Sequence, residues 1–166
     1  MARLGPSERN HRPLRTIEPD ELKECFPKLE TGKYERASKA TGRYNCVAFS
    51  NGDERHWWEA GLYGGRYYWP SNVAQNNSVA AITEMFTSDG YELTDNREIE
   101  SGWEKIAIYV SLVDLEFSHV AKSDGRVWKS KLGKGQDIYH SSLDVLEGDQ
   151  GDEYGIVDRI LKRPTK

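Results

Sequence analysis

Two alternating runs, FSHVAKS at 117–123 and RVWKSKLG at 126–133, meet at the dipeptide Asp124-Gly125. Asp-Gly between runs of this kind is a strong short-range hairpin signal. It constrains the fold tightly, because a fixed register decides which side chains share a face. With a two-residue turn, Ser123 pairs with Arg126, Ala121 lies opposite Trp128, and His119 lies opposite Ser130. Phe117, His119, Ala121, Trp128, Ser130 and Leu132 then form one face, expected to be the buried one. Ser118, Val120, Lys122, Val127, Lys129 and Lys131 form the other.

The run WEKIAIYVSL from Trp103 alternates in the same way and supplies a further strand. Helical signals precede it. Pro19 and Asp20 suit a first turn, Leu22, Cys25, Phe26 and Leu29 fall on one face, and Pro27 shortens the helix. Asn45 is placed to cap a helix opened by Cys46-Val47-Ala48-Phe49. Ser78 heads another, with Val79, Ile82, Met85 and Phe86 on one face and Gly90 as its stop. A short helix after His140 and a strand or helix over Tyr154–Leu161 complete the order. Helices first and an antiparallel sheet afterwards is the α+β class. Residues 1–17, with Arg3, Arg9, Arg12 and Arg15, read as a mobile basic arm, and 18–166 as one domain.

Mean hydropathy is −0.78 and 30% of the 166 residues are charged. No apolar run approaches the roughly 18–20 residues that span a bilayer, and the basic N-terminus lacks the apolar stretch of a secretory signal. A cytoplasmic protein without membrane contact is expected. A net charge of −4 argues against a dedicated nucleic-acid binder. Cys25 and Cys46 are too few for a disulfide framework.

Those cysteines bear on chemistry instead. A thiol in the first turn of a helix feels the positive end of the helix dipole, which favours thiolate. Cys46 on a helix packed against a sheet that presents His119 is the layout of a nucleophile and its base. Ser130 is the geometric candidate to orient the imidazole, and His140 the alternative. On this reading iodoacetamide labels Cys46 selectively and Cys25 stays inert. The bland alternatives are a buried structural thiol and a buried imidazole with one partner. A zinc site from Cys46, His119 and His140 has three ligands but no short-spaced pair, so no metal or other cofactor is expected. SKLGKG, from Ser130 to Gly135, lacks the phosphate-loop spacing and reads as a strand-end loop.

Tyr44-Asn45-Cys46-Val47-Ala48-Phe49 opening a helix, with Ser118-His119-Val120-Ala121 on a strand, resembles the NlpC-like and CHAP-like branch of papain-fold amidases. The resemblance implies a papain-like core with N-terminal helices packed on an antiparallel sheet. It also implies hydrolysis or acyl transfer at an amide, isopeptide or thioester bond. Cys46 would be the nucleophile, His119 the base, Ser130 the third position and Tyr44 an aid to the oxyanion site. Asn45 stands where that branch has Asp, and Val47-Ala48 where it has Ser-Gly. A longer series, Tyr44-Asn45-Cys46, Trp57-Trp58, Tyr68-Trp69-Pro70, Gly90-Tyr91-Glu92, Trp128-Lys129-Ser130-Lys131-Leu132-Gly133, His140, Tyr154-Gly155 and Arg163-Pro164, resembles a family of small uncharacterised bacterial proteins. It implies no activity.

Most remaining aromatics sit in ERHWWEAGLYGGRYYWP. Trp57, Trp58, Tyr68 and Trp69, with Trp128, are candidates to line a substrate cleft, while Tyr63 and Tyr67 fill out the loop. Gly61, Gly64 and Gly65 leave room for a lid. The competing reading folds these rings inward as a satellite core. A function of a different class stands beside a hydrolase of a peptide, protein or glycan substrate: a non-catalytic module, of the kind associated with toxins or immunity, that binds a protein or glycan partner through the Trp57–Trp69 loop and the basic arm.

Overall fold

The structure, a computed structural model, describes residues 18–29, 34–61 and 67–166. The arm at 1–17 and Tyr63, Gly64 and Gly65 lie outside the described residues. The framework is a seven-stranded antiparallel sheet. Its strands are β1 (Tyr34–Arg36), β2 (Glu92–Thr94), β3 (Trp103–Val110), β4 (Phe117–Ser123), β5 (Trp128–Lys131), β6 (Asp137–His140) and β7 (Ile156–Pro164), in spatial order β1-β6-β5-β4-β3-β7-β2. Among the described residues three helices accompany it: α1 (Pro19–Cys25), α2 (Cys46–Ser50) and α3 (Val79–Thr87). The segment after His140 forms only a 3-10 turn, Asp144–Leu146, and the last element is a strand.

The expected papain-like core of helices on a sheet is therefore corrected: the sheet dominates, and the longest described helix has nine residues. Local chemistry explains the short helices. α1 stops at Cys25 because Phe26 precedes Pro27, whose ring disfavours helical backbone in the residue before it. α2 stops after one turn and a half at Asn51-Gly52, where Gly52 takes φ +81°.

The hairpin register also differs from the expected one. Ser123 pairs with Trp128 and Lys122 with Lys129, so four residues, not two, make the turn. Asp124 is the reason: its Oδ1 accepts the N–H groups of both Arg126 and Val127, which holds Val127 in the turn. The slip is of even parity, so most residues keep their expected face. Phe117 does not. A bulge between β3 and β4, where Tyr109 pairs with His119 but Val110 with Phe117, turns Phe117 to the opposite side.

Nor is there one buried face. On one side of the sheet, Ala107, Tyr109, Ala121, Trp128 and Ile138 pack with Leu22 and Phe26 of the α1 segment. On the other, Ile106, Ile108, Val120 and Leu161 pack with Cys46 and Val47 of α2 and Ile82, Met85 and Phe86 of α3. The lysines that made this second side read as solvent-facing are accommodated inside it or at its margin. Lys131 is fully buried and donates to the carbonyls of Thr41, Gly133 and Gly135. Lys122 lies 4.4 Å over the Phe49 ring.

One loop position stores strain. Leu115, exposed in the β3–β4 connection, adopts φ +58°, the left-handed region that costs an ordinary side chain about 1–2 kcal/mol. Asn tolerates that region better. Leu115→Asn is expected to stabilise the protein by about 1 kcal/mol, read as a higher urea midpoint at unchanged slope; a lower midpoint would show that Leu115 makes compensating contacts.

Candidate functional site

Cys46 opens α2 as expected. Asn45 caps the helix, its Oδ1 accepting from Ala48 N at 3.1 Å and its Nδ2 donating to Trp58 O at 2.7 Å. The thiol, however, packs among Val47, Ala81, Ile82 and Val120. Burial pushes its pKa up to about 11, overriding the nearby Lys131 charge and the backbone hydrogen bonds that act the other way. A helix of five residues supplies too little dipole to offset that desolvation.

Tyr44 stands on the same side of the sheet. Its hydroxyl donates to Asp137 Oδ2 at 3.0 Å, and Lys131 Nζ lies 5.0 Å from its ring centroid. Burial lowers the Lys131 pKa to about 8 and raises that of Asp137. Asp137 Oδ1 has no hydrogen-bond partner among the described residues. These groups tie the 38–44 loop to the end of β6, with Ser38 Oγ also accepting from Asp137 N.

His119, Ser130 and His140 meet on the opposite side. His119 and Val120 are successive in β4 and so point to opposite faces. Cys46 packs with Val120, whereas His119 stacks on Tyr154 at 4.0 Å and 5° and packs against Tyr109. The sheet therefore separates the thiol from the imidazole. Ser130 Oγ sits between His119 Nε2 at 2.9 Å and His140 Nε2 at 2.8 Å, and His140 Nδ1 is 2.8 Å from Ser142 O. A carbonyl can only accept, so the His140 proton is on Nδ1, and its Nε2 accepts the Ser130 hydroxyl. Ser130 in turn accepts from His119 Nε2–H. Desolvation holds the His140 pKa down to about 4, so the ring is neutral near pH 7. All three side chains are 1% exposed or less.

The structure thus brings together His119, Ser130, His140 and Trp128, and places Cys46 and Tyr44 elsewhere. Among the described residues no group of three His, Cys, Asp or Glu side chains is disposed to hold a metal ion, and the zinc alternative is divided by the sheet.

The described part of the aromatic loop follows the satellite-core reading. Trp57 and Trp69 are buried, Trp69 Nε1 donates to Ala74 O at 2.9 Å, and Trp58 Nε1 donates to Asp53 Oδ2 at 2.8 Å. Trp58 packs 4.6 Å from Tyr68, which alone of the four candidates is half exposed.

A concave site opens instead beyond the histidines. A cleft of about 360 Å³ lies between the 97–99 and 141–144 segments, with Trp128 in its wall. Arg97 is engaged by Glu147 at 2.7 Å. Tyr109 OH donates to Leu143 O, and His140 to Ser142 O, so the buried network fixes the backbone of the cleft wall from behind. Glu98, Ser141, Ser142 and Asp144 escaped the sequence reading, since their segments carry no motif and meet only through the fold. Trp128 was the one signal pointing there.

No helix among the described residues is long and apolar enough to cross a membrane. A family model described as Domain of unknown function (DUF7689) matches residues 35–162, well over half of the chain, and the chain belongs to that family. No curated protein and no solved structure matches it.

Proposed function

We propose that this DUF7689 domain is a non-catalytic binding module that takes a short peptide or glycan segment of a partner into the cleft beside Trp128. The observation that carries this reading is the separation of reactive groups from accessible space. A Cys46–His119 pair would require an imidazole to reach a thiol packed on the opposite face of β4, which rotation of neither side chain achieves. Ser130 is sealed from solvent, and a base whose pKa lies near 4 draws protons weakly at neutral pH. The cleft, by contrast, offers hydroxyls, charges and apolar wall beside an interior strand of the sheet, the usual make-up of a recognition site.

The test follows the indole N–H of Trp128 and the amides of 141–144 by ¹⁵N NMR during addition of short peptides and oligosaccharides. Saturable shifts confined to the cleft, with every probe recovered intact, are expected. The reading fails if no probe perturbs these signals, or if a probe is cleaved by the wild type and not by Cys46→Ala.

A further inference from the structure

Building on that reading, we infer that the cleft takes a cationic side chain, the guanidinium or ammonium group of an arginine or lysine in a peptide. The nearby positive charges are already neutralised or committed. Arg97 is paired with Glu147 at 2.7 Å, and Lys105 with Glu100 at 2.7 Å. Lys105 Nζ also donates to the carbonyls of Asn96 and Glu98, and Lys28 Nζ donates to Glu147 O. The two acids of the lining, Glu98 and Asp144, are not committed in this way, although the Asp144 charge acts on Arg97 through space. Neither the Glu98 nor the Asp144 carboxylate has a hydrogen bond or ion pair among the described residues, and both residues are exposed.

The cleft therefore presents an excess of negative charge around a partly apolar wall of Ile99, Leu143 and Trp128. That combination suits a side chain with a methylene stem and a charged head: the stem lies along apolar surface and the head reaches the carboxylates. A volume of about 360 Å³ accommodates one long side chain with its flanking backbone. An anionic ligand would face Glu98 and Asp144 with no uncommitted cation of the lining to receive it among the described residues. A neutral sugar could donate hydroxyls to the two carboxylates but would leave their negative charge uncompensated.

Three probes separate the cases: N-acetyl-arginine N-methylamide, its neutral citrulline isostere, and the corresponding glutamate derivative. Each is titrated against the ¹⁵N-labelled full chain at low salt. The arginine probe is expected to bind at least tenfold more tightly than the citrulline probe. The margin should shrink as salt is added. Glu98→Gln with Asp144→Asn should erase the margin while the rest of the spectrum, and hence the fold, is unchanged. Equal binding of arginine and citrulline, or a margin that survives the double substitution, overturns the inference. If the citrulline or glutamate probe shifts the cleft signals and the arginine probe does not, the cationic assignment falls and the binding module stands. If neither these probes nor the wider panel act on the cleft, both fall.

Discussion

In the folded protein Cys46 is expected to react with iodoacetamide at least a hundredfold more slowly than in concentrated urea, near neutral pH. A rise of the thiol pKa from 9 to about 11 alone removes about two orders of magnitude of thiolate. Burial at 3% exposure further restricts approach of the reagent. Cys25, only partly buried at the end of α1, should be labelled first. Mass spectrometry of tryptic peptides at successive times resolves the two sites. This order reverses the one expected for a helix-activated nucleophile, so the experiment decides between the two readings directly. Preferential labelling of Cys46 in the native protein would restore the cysteine-hydrolase reading and count against the binding module. It would also mean that the segment covering the thiol opens readily.

The contrast shows which parts of the site were legible in the sequence. The Asn45 cap and the start of α2 were, because a cap is a contact between residues three apart. So was the meeting of His119 with Ser130, even with the turn length wrong, since a two-residue slip leaves each side chain on its face. What was not legible is the side of the sheet on which α2 would pack. That depends on Ile106 and Ile108 of β3 and Val120 of β4, on strands that are buried on both faces. Alternation normally marks one wet face. Here Lys105 on one side and Lys131 on the other satisfy that pattern while fully buried, because carbonyl oxygens surround each ammonium. A charged residue at such a position reads as solvent-facing unless its partners are known, and those of Lys131 include Thr41, ninety residues away.

The same distance effect hid the cleft. Its two segments lie more than forty residues apart and neither carries a functional motif. The aromatic loop had the stronger compositional signal, yet its described tryptophans spend their rings on packing, and Trp58 and Trp69 spend their indole N–H groups on local acceptors. Aromatic density reported where the domain needed apolar volume. The one tryptophan outside that loop which reaches the cleft does so from the middle of the sheet.

The histidine network should make the fold sensitive to mild acid. His140 has a folded pKa of about 4 against an ordinary 6.5, so between those values the unfolded chain binds a proton that the native state refuses. Stability contributed by this group is therefore complete above about pH 6.5 and is lost as pH falls toward 4. The total is about 3 kcal/mol for a shift of about 2.5 units at 1.36 kcal/mol each. The structural cause is plain: a protonated Nε2 becomes a donor aimed at Ser130 Oγ, whose own hydroxyl then loses its acceptor. Asp137, whose pKa is raised in the folded state, works in the opposite direction, stabilising the protein where it holds its proton. The comparison must therefore be differential. Urea unfolding of the wild type and of His140→Gln, measured at pH 7, 5.5 and 4, should converge as pH falls. Glutamine can accept from Ser130 and donate to Ser142 without titrating. The variant begins less stable at pH 7 and lacks this acid-dependent loss, so the gap between the two closes by about 3 kcal/mol on reaching pH 4. A gap that stays constant across the range would show that His140 titrates normally in the folded protein, and that the buried relay behind the cleft is open to water.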